Sequence, residues 1–209
     1  MMMLIGWLLL IAGCSQRAVS LSEVRVIAFQ PVGSYDRQEL DTLRLEIGRF
    51  FHKQTVVLPA LPMPVSFRNM TKGERYSADS LIKFLAARTS DTLPIVLGFT
   101  DKDIFTTVRN NDGTVKAPAS SYAVWGIFGL GYCPGHSAIV SSTRLRCTDE
   151  LRYRRRLKTV ALHELGHNFG LPHCPNPRCI MNDANEKIAT IDNSANDYCP
   201  ACRKKLGLP

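Results

Sequence analysis

Apolar residues recur along this chain with two periods, and the alternation between the periods lays out its elements. Residues 23–29 step by two, which predicts a first strand, and Gln30-Pro31-Val32-Gly33-Ser34 reads as a loop. Residues 36–52 carry Leu40, Leu43, Ile47 and Phe50 at three- and four-residue steps, the spacing of an amphipathic helix. Residues 54–58 and 63–67 read as extended segments split by proline, and residues 77–88 as a second helix through Leu81, Ile82 and Leu85. Residues 93–99 are apolar throughout, which predicts a strand buried on both faces and central in its sheet. Asn110-Asn111-Asp112-Gly113 is a turn, and residues 122–128 and 137–142 read as strands, the first bordering a cleft. Residues 149–168 form a long helix with Asp149 and Glu150 at its positive end. The order β-α-β-α-β-β-β-α predicts an α+β fold, a mixed β-sheet with helices and the long helix last.

At the amino terminus neither period holds. Leu4-Ile5-Gly6-Trp7-Leu8-Leu9-Leu10-Ile11-Ala12 is a nine-residue apolar run, too short to span a bilayer but of the length of a secretory h-region. No Lys or Arg precedes it. The residues that follow, Ile11-Ala12-Gly13-Cys14, resemble a bacterial lipobox. That resemblance implies residues 1–13 as a lipoprotein signal peptide, lipidation at Cys14, residues 14–22 as a tether and residues 23–209 as the working domain. The implied location is the cell envelope, membrane-anchored, with Ser15 in place of a retention aspartate leaning toward an outer membrane. The alternative is a cytoplasmic protein whose signal is not used.

The remaining 196 residues, with an ordinary globular apolar content, suit one domain. Net charge is +8, and seven of the basic residues fall within 144–158, with Arg203-Lys204-Lys205 near the end. A solvated helix face accounts for this, and attraction to anionic phospholipid is the functional alternative. Nucleic acid is not an expected partner, because no groove-reading or aromatic-interleaved basic module accompanies the charge. The expected partners are a peptide or protein substrate and the membrane, with the chain acting as a monomer.

The chemistry concentrates in His163-Glu164-Leu165-Gly166-His167-Asn168-Phe169-Gly170-Leu171-Pro172-His173, the pattern HExxHxxGxxH. Three neutral imidazoles are the protein ligands a catalytic zinc takes while keeping one position open. On a helix His163 and His167 leave one face a turn apart, and Glu164 beside them is placed to act as general base toward a zinc-activated water. Gly170 permits a left-handed exit from the helix, Pro172 prevents re-entry, and His173 returns as third ligand. On this chain's own composition the full pattern arises by chance with odds below about 1 in 10,000, so satisfied structural histidines are the weaker reading.

With Cys174, Cys179, Met181, Cys199 and Cys202 downstream, the pattern HC-x4-C-x-M-x17-C-x-x-C resembles the archaemetzincin branch of the metzincin zinc metalloproteases. Phe99-Thr100-Asp101-Lys102-Asp103-Ile104, Trp125-Gly126 and Val140-Ser141-Ser142-Thr143-Arg144-Leu145 look like that family's N-terminal subdomain. The resemblance implies a metzincin-like fold with an N-terminal subdomain at 23–170 and a small zinc-braced C-terminal lobe at 171–209. It implies Met181 as the Met-turn, a hydrophobic floor under the histidines and not a ligand.

Four thiolates at Cys174, Cys179, Cys199 and Cys202 are enough for a closed structural zinc, which would brace the loop carrying His173 and Met181. The expected cofactor is then Zn2+, two ions per chain, one catalytic and one structural. Two disulfides are the alternative in an oxidising compartment. Cys133 and Cys147 stand either as a further disulfide or as two thiols. Three functions compete: a zinc peptidase with Glu164 as general base, a catalytically weak zinc-containing peptide-binding module, and a structural envelope lipoprotein. Glu164 favours the first, since the other two need no base.

Overall fold

The structure, a computed structural model, describes residues 19–209; the expected signal peptide (1–13), the expected lipidation position Cys14 and the start of the expected tether lie outside the described residues. The chain runs through strand β1 (Val26–Pro31), helix α1 (Arg37–Phe51) and strand β2 (Gln54–Val57). After a 3-10 turn at Val65–Phe67 come β3 (Arg68–Asn69), β4 (Arg75–Ser77) and helix α2 (Ala78–Ala86). Next are β5 (Ile95–Thr100), β6 (Ile104–Thr106), the short helix α3 (Ala119–Tyr122), β7 (Trp125–Ile127), β8 (Gly129–Gly131) and β9 (Ser137–Ser141). Helix α4 (Glu150–Asn168) is followed by α5 (Ile188–Asn193) and α6 (Pro200–Leu206).

The main sheet has the order β2-β1-β5-β9-β8. Its first four strands are parallel, and β8 pairs antiparallel with β9 as an edge. Strand β5, apolar up to its last residue Thr100, is the central strand and every one of its residues is buried, as expected of a strand with helices on both faces. Alternate side chains divide between the two layers. Ile27, Phe29, Ile95, Leu97, Phe99 and Val140 pack with α1 and α4, while Ala28, Val96 and Ile139 pack with α2. The expected mixed sheet between helices is therefore what the chain forms.

A second sheet, β3-β4-β6-β7, lies outside the sequence expectation. Its strands are two or three residues long, too short for a period of two to declare itself. Two extended segments are corrected. Residues 65–67 close a 3-10 turn, Phe67 N–H donating to Pro64 O, and Tyr122 ends α3, so only Trp125–Ile127 of residues 122–128 is strand β7.

Helix α4 begins where expected: the Asp149 carboxylate accepts from Arg152 N–H as N-cap. Its arginines are spent on partners. Arg152 pairs with Asp149, Arg154 with Glu150 and Lys158 with Glu46, while Arg155 donates to Asp192 O, Ser194 O and Asn196 Oδ1. Arg156 is buried and forks onto Asp192 of α5, at 2.7 Å from Nε and 2.6 Å from Nη2. That pair clamps the C-terminal segment to the helix.

Arg156 is buried and Asp192 half-buried, so removing the carboxylate leaves the guanidinium charge uncompensated. Asp192→Asn is expected to destabilise the chain by about 2 kcal/mol, read from the denaturant midpoint at pH 7. The Arg156 hydrogen bonds hold the Asp192 pKa below its ordinary value. Its stabilisation is thus present above the unfolded-state pKa of about 3.9 and is lost as pH falls through the folded value. The gap between wild type and variant should narrow below about pH 4; a gap constant down to acid pH would show that the pair contributes nothing.

Candidate active site

Helix α4 carries His163 and His167 on one face, their ring centroids 4.6 Å apart, and His173 returns to lie 5.3 and 4.9 Å from them. One nitrogen from each ring falls within 4.8 Å of the others. The return is made by the helix end. Gly170 has φ +85°, its N–H donates to His167 O, and Leu171 N–H donates to Gly166 O, the paired bonds of a Schellman motif. His163 Nδ1 donates to Ile180 O at 2.7 Å and His167 Nδ1 to Leu171 O at 2.8 Å. A carbonyl can only accept, so both rings carry their proton on Nδ1 and turn a bare Nε2 to the shared point. His173 Nδ1 faces Asp183 Oδ2 at 3.5 Å. Burial, then the neighbouring His167, pushes the His163 pKa down to about 3, so this imidazole is neutral across the physiological range. Three converging imidazoles, two of them held in orientation by backbone carbonyls, fit a zinc ion.

Glu164 is buried beside them, and burial alone raises its carboxyl to about 8. A nearby dication acts in the opposite direction by favouring the carboxylate. The wall facing Glu164 is the edge strand β8, and that wall has no side chains at its two contact points. A Cβ on Gly129 would stand 2.6 Å from Glu164 Oε1, and one on Gly131 would stand 2.9 Å from Glu164 O. The cleft between them has a volume of about 270 Å³ and takes in Trp125, Phe128 and Ile180 as well as the histidines. Asn168, fully buried, ties α4 to this wall by donating to Tyr132 O and Ser137 O.

Met181 lies beneath the histidine helix, fully buried. Gly166, between the two helical histidines, makes room for it: a Cβ there would meet Met181 Sδ at 2.4 Å. Tyr198 packs at the same glycine and donates to Leu162 O at 2.6 Å. Cys174, Cys179, Cys199 and Cys202 bring their sulfurs within 4.8 Å of one another, Cys174 and Cys199 at 3.8 Å. A tetrahedron of about 2.3 Å Zn–S bonds has its sulfurs about 3.8 Å apart, so this cluster fits an ion as well. The Cys202 N–H is the main cause holding the Cys199 thiol down, at about 7.

Some site residues escape the sequence reading. Gly129, Gly131 and Gly166 act by what they lack, and only the alternation Gly129-Leu130-Gly131 hints at one smooth strand face. Arg144 forks onto Asp103, which also pairs with Arg75, and reaches Glu186 on the cleft wall at 3.4 Å. The pair Asp103–Arg144 is separated by 41 residues, and no local period signals it. Cys133 and Cys147 are free and exposed, with Cys133 on the cleft wall.

Comparison with known proteins agrees with this geometry. The family model described as Peptidase family M54 matches residues 38–207. Archaemetzincin of Methanocaldococcus jannaschii is 31% identical over 188 residues, covering 86% of this chain and 92% of its own. Archaemetzincin of Archaeoglobus fulgidus is 27% identical over 180 residues, covering 86% and 98%. The crystal structure of the latter complexed with malonate superposes with a TM-score of 0.69 at 26% identity, covering 86% of this chain and 99% of that one.

The bare β8 wall yields a test. Gly129→Ala forces the Glu164 carboxylate to move, because the nearest atoms are the flexible end of that side chain. Peptidase kcat/KM is expected to fall on the order of 100-fold, with the unfolding midpoint shifted by less than about 4 °C. Unchanged turnover would mean that Glu164 works from another position.

Proposed function

The chain belongs to peptidase family M54 and is a zinc metallopeptidase, and from that premise we propose how its residues divide the work. His163, His167 and His173 hold the catalytic zinc, Glu164 is the general base, and Cys174, Cys179, Cys199 and Cys202 hold a second, structural zinc. The observation that carries this is the convergence of three imidazoles, two of them with tautomers fixed by backbone carbonyls, beside one buried carboxylate.

When bound, zinc supplies Lewis acidity, polarising a carbonyl and acidifying a water. The Ile180 and Leu171 carbonyls orient the first two ligand rings. Glu164 accepts the proton of the attacking water as its oxygen bonds to the scissile carbonyl carbon. As the carbon–nitrogen bond breaks, Glu164 returns that proton to the departing amine. The bare β8 face admits a peptide backbone close to this carboxylate, and Met181 with Tyr198 supports the helix from below.

Two zinc ions per chain are expected by elemental analysis after desalting. Glu164→Ala should keep both while losing nearly all turnover, because ligation is untouched and proton transfer is not. One zinc, with no titratable thiols after denaturation, would favour disulfides at the four cysteines. A Glu164→Ala protein that cleaves a peptide library as fast as wild type removes Glu164 from the mechanism.

We further propose that Cys14 carries a lipid and holds this catalytic domain at the cell envelope, on the support of the apolar run and Ile11-Ala12-Gly13-Cys14. Among the described residues no helix is long and apolar enough to cross a membrane. A fatty-acid analogue should label wild type and not Cys14→Ser, and fractionation should move the variant out of the membrane. Unlabelled soluble wild type that keeps residues 1–13 refutes the anchor.

A further inference from the structure

The net charge of the chain does not rest on α4, whose cations are mostly paired. It is uncovered elsewhere. At the far edge of the main sheet, the last turns of α1 and strand β2 enclose a shallow groove of about 460 Å³. Its charged lining is entirely basic, Arg44, Arg49 and Lys53, joined by the imidazole of His52. Arg44 pairs with Asp41, whereas among the described residues Arg49 and Lys53 pair with no carboxylate. Among the described residues, two of the five exposed large hydrophobic side chains, Leu45 and Val56, line the same groove. Cations interleaved with exposed apolar side chains are the chemistry of a surface that lies at a lipid headgroup layer.

The path of the chain adds a separate argument. β1 starts beside β2, Val26 in register with Gln54, and Gln54 N–H donates to Arg25 O. The described chain begins at Val19, six residues before Arg25, whose carbonyl meets β2 at Gln54, a residue of the groove lining. The catalytic cleft is at the other edge: β2 and β8 are the two ends of the order β2-β1-β5-β9-β8. Four interstrand steps of about 4.8 Å separate them, roughly 19 Å.

We propose that the α1–β2 groove is a docking surface for anionic phospholipid, which seats the β2 edge on the membrane and leaves the β8 cleft facing away from it. The groove acts through its own charge and apolar side chains, so it binds anionic lipid whether or not Cys14 is acylated. It does not depend on the peptidase mechanism.

The test uses the chain from residue 14 onward with Cys14→Ser, which retains every described residue and removes the anchor. Sedimentation is compared with phosphatidylcholine vesicles and with vesicles containing about 30% phosphatidylglycerol. Wild type should partition onto the anionic vesicles only, and Arg49→Glu with Lys53→Glu should weaken that by about 30-fold. The matched reversal on α4, Arg152→Glu with Arg154→Glu, should weaken it by less than about threefold. Thermal melts and zinc content report that all variants fold. Equal loss from both reversals, or no preference of wild type for anionic vesicles, overturns the proposal. So does a groove reversal that abolishes binding to duplex DNA while leaving vesicle binding intact.

Discussion

Two hydrogen bonds from histidine to backbone set the frame on which the active site depends. His163 Nδ1 donates to Ile180 O and His167 Nδ1 to Leu171 O, and both acceptors belong to the segment that follows α4. The helix alone would put the two rings on one face but leave their rotation and tautomer free. The segment after the helix removes that freedom, so the metal site exists only while that segment is folded back. This explains the concentration of restraints there. Gly170 turns the chain, Gly166 lets Met181 under the helix, and Tyr198 donates to Leu162 O. The Arg156–Asp192 fork pins α5 from outside.

The same dependence gives the four-cysteine cluster a purpose in this fold. Residues 171–209 contribute no strand to either sheet, and their helices are only six and seven residues long. A segment with so little regular structure is poorly held by packing alone. Cys174 follows His173 directly, its N–H donates to Met181 O, and Cys179 accepts from Cys199 N–H. Gathering these sulfurs therefore fixes the third histidine, the methionine floor and the carbonyl of Ile180 in a single step. The cost of ordering the segment falls on the sulfur cluster instead of on the catalytic centre.

Much of this was legible because it is periodic or local. The central strand, the two long helices and the ligand spacing all repeat at the intervals that backbone geometry imposes, and Asp36, Ser77 and Asp149 cap their helices by the local bonds their side chains favour. What escaped was either very short or non-local. The second sheet is built from strands of two or three residues, and the Asp103–Arg144–Glu186 chain joins residues more than 40 positions apart. Gly129, Gly131 and Gly166 escaped for a different reason. A glycine needed for close approach carries no mark that separates it from a turn glycine, because what defines it is the neighbour that fills the missing volume.

Charge illustrates the gap between composition and placement. The cluster at residues 144–158 is the densest basic stretch in the chain, yet folding pairs most of it, with Arg144 bound to Asp103 and Arg156 to Asp192. The cleft reverses the sign of the whole molecule: the charged residues lining it besides its histidines are Glu164, Asp183 and Glu186, all acidic. A chain of net charge +8 thus keeps lysine and arginine out of the site that must hold a dication, where they would repel it, and carries at the opposite sheet edge cations that pair with no carboxylate among the described residues. The excess charge is therefore a property of the outer surface, and the cleft takes its electrostatics from carboxylates and neutral imidazoles.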